Sequence, residues 1–189
     1  HEFAFVRDLD VSPNSRLFAA CGGPWREPGE PRSFLRVWNL ESGKLELEQV
    51  DVNMRGQAAF DPSGESLAVG TQAGALYMIL LDDPDSKHPF LAPTDEESGT
   101  WLALGKAHGG VPTGLAFGAD GVTLFSTSNS PGPGMPSELR VWDFPSRYQA
   151  RMLQNQDASF ISITRSPDRK RVLVGTGIRT VQVHAAQQQ

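Results

Sequence analysis

The sequence predicts an all-β fold made of repeated antiparallel sheets, and three observations carry that prediction. Fifteen short β-rich runs alternate with turns, and no window holds a helical stripe of any length. A tight turn of one kind recurs at Ser12–Ser15, Asp61–Gly64, Gly118–Gly121 and Ser166–Arg169, spaced by 49, 57 and 48 residues. The run Leu-Arg-Val-Trp followed by Asn or Asp occurs at Leu35–Asn39 and again at Leu139–Asp143, an offset of 104.

The first repeat opens on Phe5–Ser12, turns through "SPNS" and returns on Arg16–Cys21. A Pro- and Gly-rich connection, Gly22–Ser33, leads to Phe34–Leu40 and then Lys44–Val50. The second repeat has Gly56–Asp61, the turn "DPSG", Ser66–Thr71, Ala75–Leu81 and Thr100–Ala107. The third has Thr113–Gly118, "GADG", Thr123–Ser128, the connection Asn129–Glu138, Glu138–Phe144 and Tyr148–Leu153. The fourth has Phe160–Ser166, "SPDR", Arg171–Thr176 and Thr180–Ala185. Each of the four turns carries Ser, Pro, Asn, Asp or Gly where a type I turn followed by a left-handed residue needs them. Approximate repeat bounds are 1–50, 51–107, 108–156 and 157–189.

A longer period overlies this one. Val69–Thr71 recurs as Val174–Thr176, an offset of 105. Repeats 1 and 3 carry the Trp and a long connection before it. Repeats 2 and 4 have Ile79 and His184 in its place and a short connection. The chain reads as two copies of a two-repeat unit.

These residues resemble the WD-repeat β-propeller family. "SPNSRLFAA…LRVWNLESGK" and "GADGVTLFSTS…ELRVWDF" are good matches to its pattern, and repeats 2 and 4 are degenerate ones. The resemblance covers nearly the whole chain. It implies a β-propeller segment of four antiparallel blades, each four-stranded, with the last lacking its outer strand. It implies structural roles for Trp38, Trp142 and His108. The family's structural Asp is missing, with Ala73 and Ile178 in its place in repeats 2 and 4. The family's network of His, Ser or Thr, Asp and Trp is therefore expected to be incomplete.

Composition narrows the function. The 189 residues carry a formal net charge of −5, which gives no pull toward nucleic acid. No apolar run approaches the thickness of a bilayer, so no membrane partner is expected. The first residues lack a basic region followed by an apolar one, so no signal peptide is visible; the compartment stays open, with a cytoplasmic location favoured. The single Cys21 excludes an intrachain disulfide and lies in a small-residue strand end with no nucleophile signature. None of His1, His88, His108 and His184 forms a short-range metal-ligand pair. The acidic residues between Asp82 and Glu97 fit no calcium loop. No catalytic residue, metal site or cofactor is expected.

The long connections are the candidate recognition surface, because function concentrates on loops held by rigid sheets. Trp25, Arg26 and Arg32 in the first, and Met135 in the second, are the candidate partner-binding residues. The expected function is a noncatalytic scaffold for protein–protein interaction within a larger protein or assembly. The expected partner is another protein, the remainder of a longer chain, or a second copy completing the ring. The alternative is a regulatory or shielding propeller domain of a multidomain bacterial enzyme or sensor.

Overall fold

The computed structural model describes residues 4–24, 33–51, 56–81, 101–106, 108–130, 132–143, 148–155, 157–168, 170–178 and 181–185. Among them are fifteen strands and no helix, one strand for each β-rich run, and the chain is all-β as its sequence predicts. Sheet I holds β1 (Ala4–Val11), β2 (Leu17–Pro24), β3 (Ser33–Asn39) and β4 (Leu45–Asp51). Sheet II holds β5 (Ala58–Phe60), β6 (Ser66–Gly70), β7 (Ala75–Leu80) and β8 (Trp101–Lys106). Sheet III holds β9 (Pro112–Phe117), β10 (Thr123–Ser128), β11 (Ser137–Asp143) and β12 (Tyr148–Asn155). Sheet IV holds three described strands, β13 (Phe160–Arg165), β14 (Arg171–Thr176) and β15 (Val181–Ala185). Every sheet is an antiparallel meander in chain order.

The recurring turn sets the register of each sheet. Ser15, Gly64 and Gly121 close it with φ of 58°, 77° and 74°, the left-handed position that a type I turn followed by a strand demands. Side chains brace the same turns. Asp61 Oδ1 accepts the amides of Gly64, Glu65 and Ser66, and Asp120 Oδ1 accepts those of Val122 and Thr123. Ser12 and Ser166 each exchange hydrogen bonds with the residue five positions on. The first two strands of sheets I, III and IV share one irregularity. Their ladders skip Arg7, Thr113 and Ile161, each five residues before its turn. A second irregularity lies beside Trp38 in sheet I and beside Trp142 in sheet III. These matched bulges make the repeats structural and not only textual.

Alternation along each strand gives every sheet two faces, and consecutive sheets stack face to face. Leu17, Ala19, Cys21, Leu35 and Val37 of sheet I meet Phe60, Leu67, Val69 and Ile79 of sheet II. Ala68, Leu76 and Met78 of sheet II meet Leu115, Phe117, Leu124 and Trp142 of sheet III. Phe125, Leu139 and Val141 of sheet III meet Phe160, Val172 and Val174 of sheet IV. Phe60, Phe117 and Phe160 are fully buried, one per interface. Each such side chain stabilises by about 1.5–3 kcal/mol relative to exposure. Two faces have no described sheet against them: that of sheet I carrying Phe18 and Trp38, and that of sheet IV carrying Leu173 and Val181.

Candidate functional site

The first strands of the four sheets, β1, β5, β9 and β13, line one open concavity of about 620 Å³. Two carboxylates on β1 shape its wall. Asp8 Oδ1 accepts the Leu9 amide at 3.0 Å while its Oδ2 accepts the Ala58 amide at 3.0 Å. Asp10 repeats this with the Val11 amide at 2.9 Å and the Phe60 amide at 2.7 Å. Each carboxylate thus clips two edge strands together and satisfies amides that no ladder partner takes. Burial raises the pKa of both aspartates above the ordinary value, and the amides they accept oppose that rise. On the far side, Thr113 Oγ1 donates to the Phe160 carbonyl at 2.9 Å, and the Arg165 guanidinium reaches the Phe117 carbonyl at 3.5 Å. Asp8, Asp10, Thr113 and Arg165 of the polar lining each join one sheet to the next.

His108 lies at the entry to β9, with 1% of its surface exposed. The Trp142 indole donates to Ser126 Oγ at 2.8 Å, and His108 Nε2 stands 2.7 Å from the same oxygen. His108 Nδ1 lies 3.1 Å from Glu138 Oε2, which also accepts the Arg140 guanidinium from Nε at 3.1 Å and from Nη2 at 3.0 Å. One arrangement of protons satisfies all of these contacts. Ser126 Oγ accepts a hydrogen bond from the indole N–H and donates one to Nε2, so the neutral ring carries its proton on Nδ1 and donates a hydrogen bond to Glu138. Burial holds the imidazole pKa down at about 4 even with a carboxylate beside it, so the ring is neutral at pH 7. The chain Trp142–Ser126–His108 thus ends on a carboxylate, that of Glu138, the second residue of β11.

Trp38 and Trp142 occupy matched strands but differ in surroundings. Trp142 is 4% exposed between sheets II and III, with Arg140 over its ring. Trp38 is half-buried on the free face of sheet I and stacks on Phe18 with ring centroids 5.5 Å apart.

Several connections meet at one rim. The His108 amide donates to the Gly74 carbonyl at 2.9 Å, and the Val111 amide donates to Asn129 Oδ1 at 3.0 Å. The β6–β7 turn, the β8–β9 connection and the β10–β11 connection are thereby brought together. Met135 in the last of these is 57% exposed, in a loop braced by the Ser130 hydroxyl donating toward the Gly132 and Met135 carbonyls. Trp25, Arg26 and Arg32 lie outside the described residues, as do His1, His88 and the acidic stretch between Asp82 and Glu97. His184 is in β15, and its side chain is not described.

Cys21 is fully buried and donates to the Gly56 carbonyl at 3.1 Å. Burial pushes its thiol up to about 12, so no thiolate forms near neutrality. Among the described residues no three His, Cys, Asp or Glu side chains gather in a way that could hold a metal ion. Sequence reasoning missed Asp8, Asp10 and Glu138. The alternation of "RDLDV" puts both aspartates on the face carrying Ala19 and Cys21, a signal for an unusual partner. Comparison with protein-family models and with curated proteins found no match to this chain.

Proposed function

We propose that this chain is a segment of a β-propeller of the WD-repeat type, with its four sheets as consecutive blades, and that it serves as a noncatalytic scaffold for binding another protein. Support for the propeller comes from sheets that repeat one turn, share one bulge in three of the four, stack in chain order, and turn their first strands toward a shared concavity. The observation that carries the scaffold reading is the contrast between interior and rim. The two described side chains most suited to covalent or proton-transfer chemistry, Cys21 and His108, are buried and hydrogen-bonded. The connections at the rim converge, and Gln72, Ala73, Pro133, Gly134 and the polarizable Met135 in them are exposed. Trp25, Arg26 and Arg32 belong to the connection of the first repeat that corresponds to the Met135 loop of the third. Trp and Arg are the residues that dominate interface energetics.

The test is capture of the native protein partner by the chain and by two variants, Trp25→Ala with Arg26→Ala, and Met135→Ala. Binding that weakens in both at unchanged melting temperature supports the scaffold. Binding unchanged in both rejects this rim as the contact surface. Binding that weakens together with stability assigns Trp25 to packing.

A further inference from the structure

We propose that the free face of sheet I binds the free face of sheet IV of a second copy of this chain, so that two copies join head to tail. The inference rests on the propeller reading above and adds to it the identity of an occupant for each free face.

Two of the three interfaces inside the chain, sheet II with III and sheet III with IV, follow one rule. Near the concavity, the earlier sheet presents small positions and the later sheet fills them. A Cβ on Gly114 of sheet III would lie 2.5 Å from Ile163 Cγ2 of sheet IV. A Cβ on Gly70 of sheet II would lie 3.0 Å from Pro112 Cβ of sheet III. Gly70 and Pro112 are thus a notch and its knob.

Both halves of this pair recur on the free faces. Gly175 of sheet IV is the same glycine of the Val-Gly-Thr run as Gly70, 105 residues later. A Cβ there would lie 2.6 Å from Ser162 Oγ and 3.9 Å from Ile161 of its own sheet, so a serine hydroxyl borders the notch and no residue of another sheet enters it. Val6 of sheet I stands six residues before its turn, as Pro112 does, and borders the same bulge. It is 55% exposed, and Leu9 at 55% and Val11 at 47% follow it along the same face of β1. The knob is present and uncovered.

The outer parts of the two faces also match. Arg171, exposed at the start of β14, occupies the position that Leu17 holds in β2, five residues after the turn begins. Leu17 packs in the cluster that holds Leu67 and Ile79, which correspond to Phe18 and Trp38 of sheet I. Arg171 of one copy therefore falls opposite the Phe18–Trp38 stack of the other. The protein already seats guanidinium groups over aromatic rings, Arg36 over Phe34 at 5.3 Å and Arg140 over Trp142 at 6.0 Å. The contact joins two different patches, so two copies related by a two-fold axis form it twice and leave neither face uncovered.

Light scattering or sedimentation on this chain tests the proposal. The expected mass is about twice the 20.5 kDa of one chain, returning to one chain with Val6→Asp or Arg171→Glu at an unchanged β-rich circular dichroism spectrum. In the double variant Val11→Cys with Thr164→Cys, mild oxidation is expected to give an intermolecular disulfide, and each single variant is expected to give none. A mass of one chain for the unaltered protein overturns the inference, as does a dimer that survives both charge variants. A Val11→Cys variant that cross-links to itself overturns the head-to-tail arrangement in favour of paired sheet I faces. Either failure with the β spectrum intact leaves the propeller reading standing, whereas loss of the concavity in an experimental structure removes both.

Discussion

The Phe60 amide donates to Oδ2 of Asp10 at 2.7 Å, across 50 residues of chain and from one sheet to the next. The other oxygen of the same carboxylate holds the Val11 amide, so Asp10 serves two edges at once. Asp10→Ala leaves both amides without that acceptor and is expected to destabilise the protein by about 1–3 kcal/mol. Asp10→Asn keeps one acceptor oxygen and is expected to cost less. Urea unfolding of the two variants against the parent measures the difference, and equal losses refute the two-amide role.

Ser126 joins His108 to Trp142, and its removal separates them. Ser126→Ala is expected to cost about 1–3 kcal/mol, because the indole N–H and the imidazole Nε2 lose their shared partner in a buried site. Ser126→Thr retains the hydroxyl and is expected to keep more of the stability. Melting curves of the two variants check the order.

The His108 ring is held neutral in the folded protein, with its pKa lowered to about 4 from 6.5. The unfolded chain therefore binds a proton that the folded chain refuses between those values. Its contribution to stability is full above about pH 6.5 and is lost as pH falls toward 4, on the order of 1–3 kcal/mol in total. Unfolding free energy measured from pH 7 to pH 4.5 is expected to fall more steeply for the parent than for His108→Gln. Parallel curves would contradict the buried neutral ring.

Gly74 and Gly134 both have positive φ, 83° and 76°. They differ in what a side chain would strike. A Cβ on Gly74 would lie 2.3 Å from the His108 carbonyl oxygen, whereas one on Gly134 meets nothing within 4 Å. Gly134→Ala is expected to carry only the left-handed backbone cost of about 1 kcal/mol. Gly74→Ala adds a backbone collision where two connections of the rim meet, and is expected to lower the melting temperature several times more.

The Cys21 thiol is buried, hydrogen-bonded and high in pKa. Alkylation by iodoacetamide at pH 8 is expected to be slow in the folded protein and complete after denaturation. Rapid modification of the folded protein would place this thiol at the surface.

The strands and their turns were legible in the sequence because their causes are local. A Ser or Asp followed by Pro, then a residue able to adopt positive φ, specifies the turn without help from the rest of the chain. Glu138 was not legible as the partner of His108. The pair is separated by 30 residues, and their meeting depends on how β11 lies against the loop before β9. The partners of Asp8 and Asp10 were not legible for a similar reason. The amides they serve sit on β5, about 50 residues away, and become available only once two sheets stack.

Each hydrophobic cluster belongs to two consecutive sheets, so among the described residues sheets II and III have a neighbour on both sides while sheets I and IV have one each. Such a stack behaves as a nearly one-dimensional cooperative array, in which an end unit opens by breaking one interface and a middle unit must break two. Amide hydrogen exchange should then follow position in the stack: faster in β2 and β14, slower in β6 and β10, with opening that spreads inward from the ends. Joining the two ends to a second copy turns the line into a circle, and that gradient disappears.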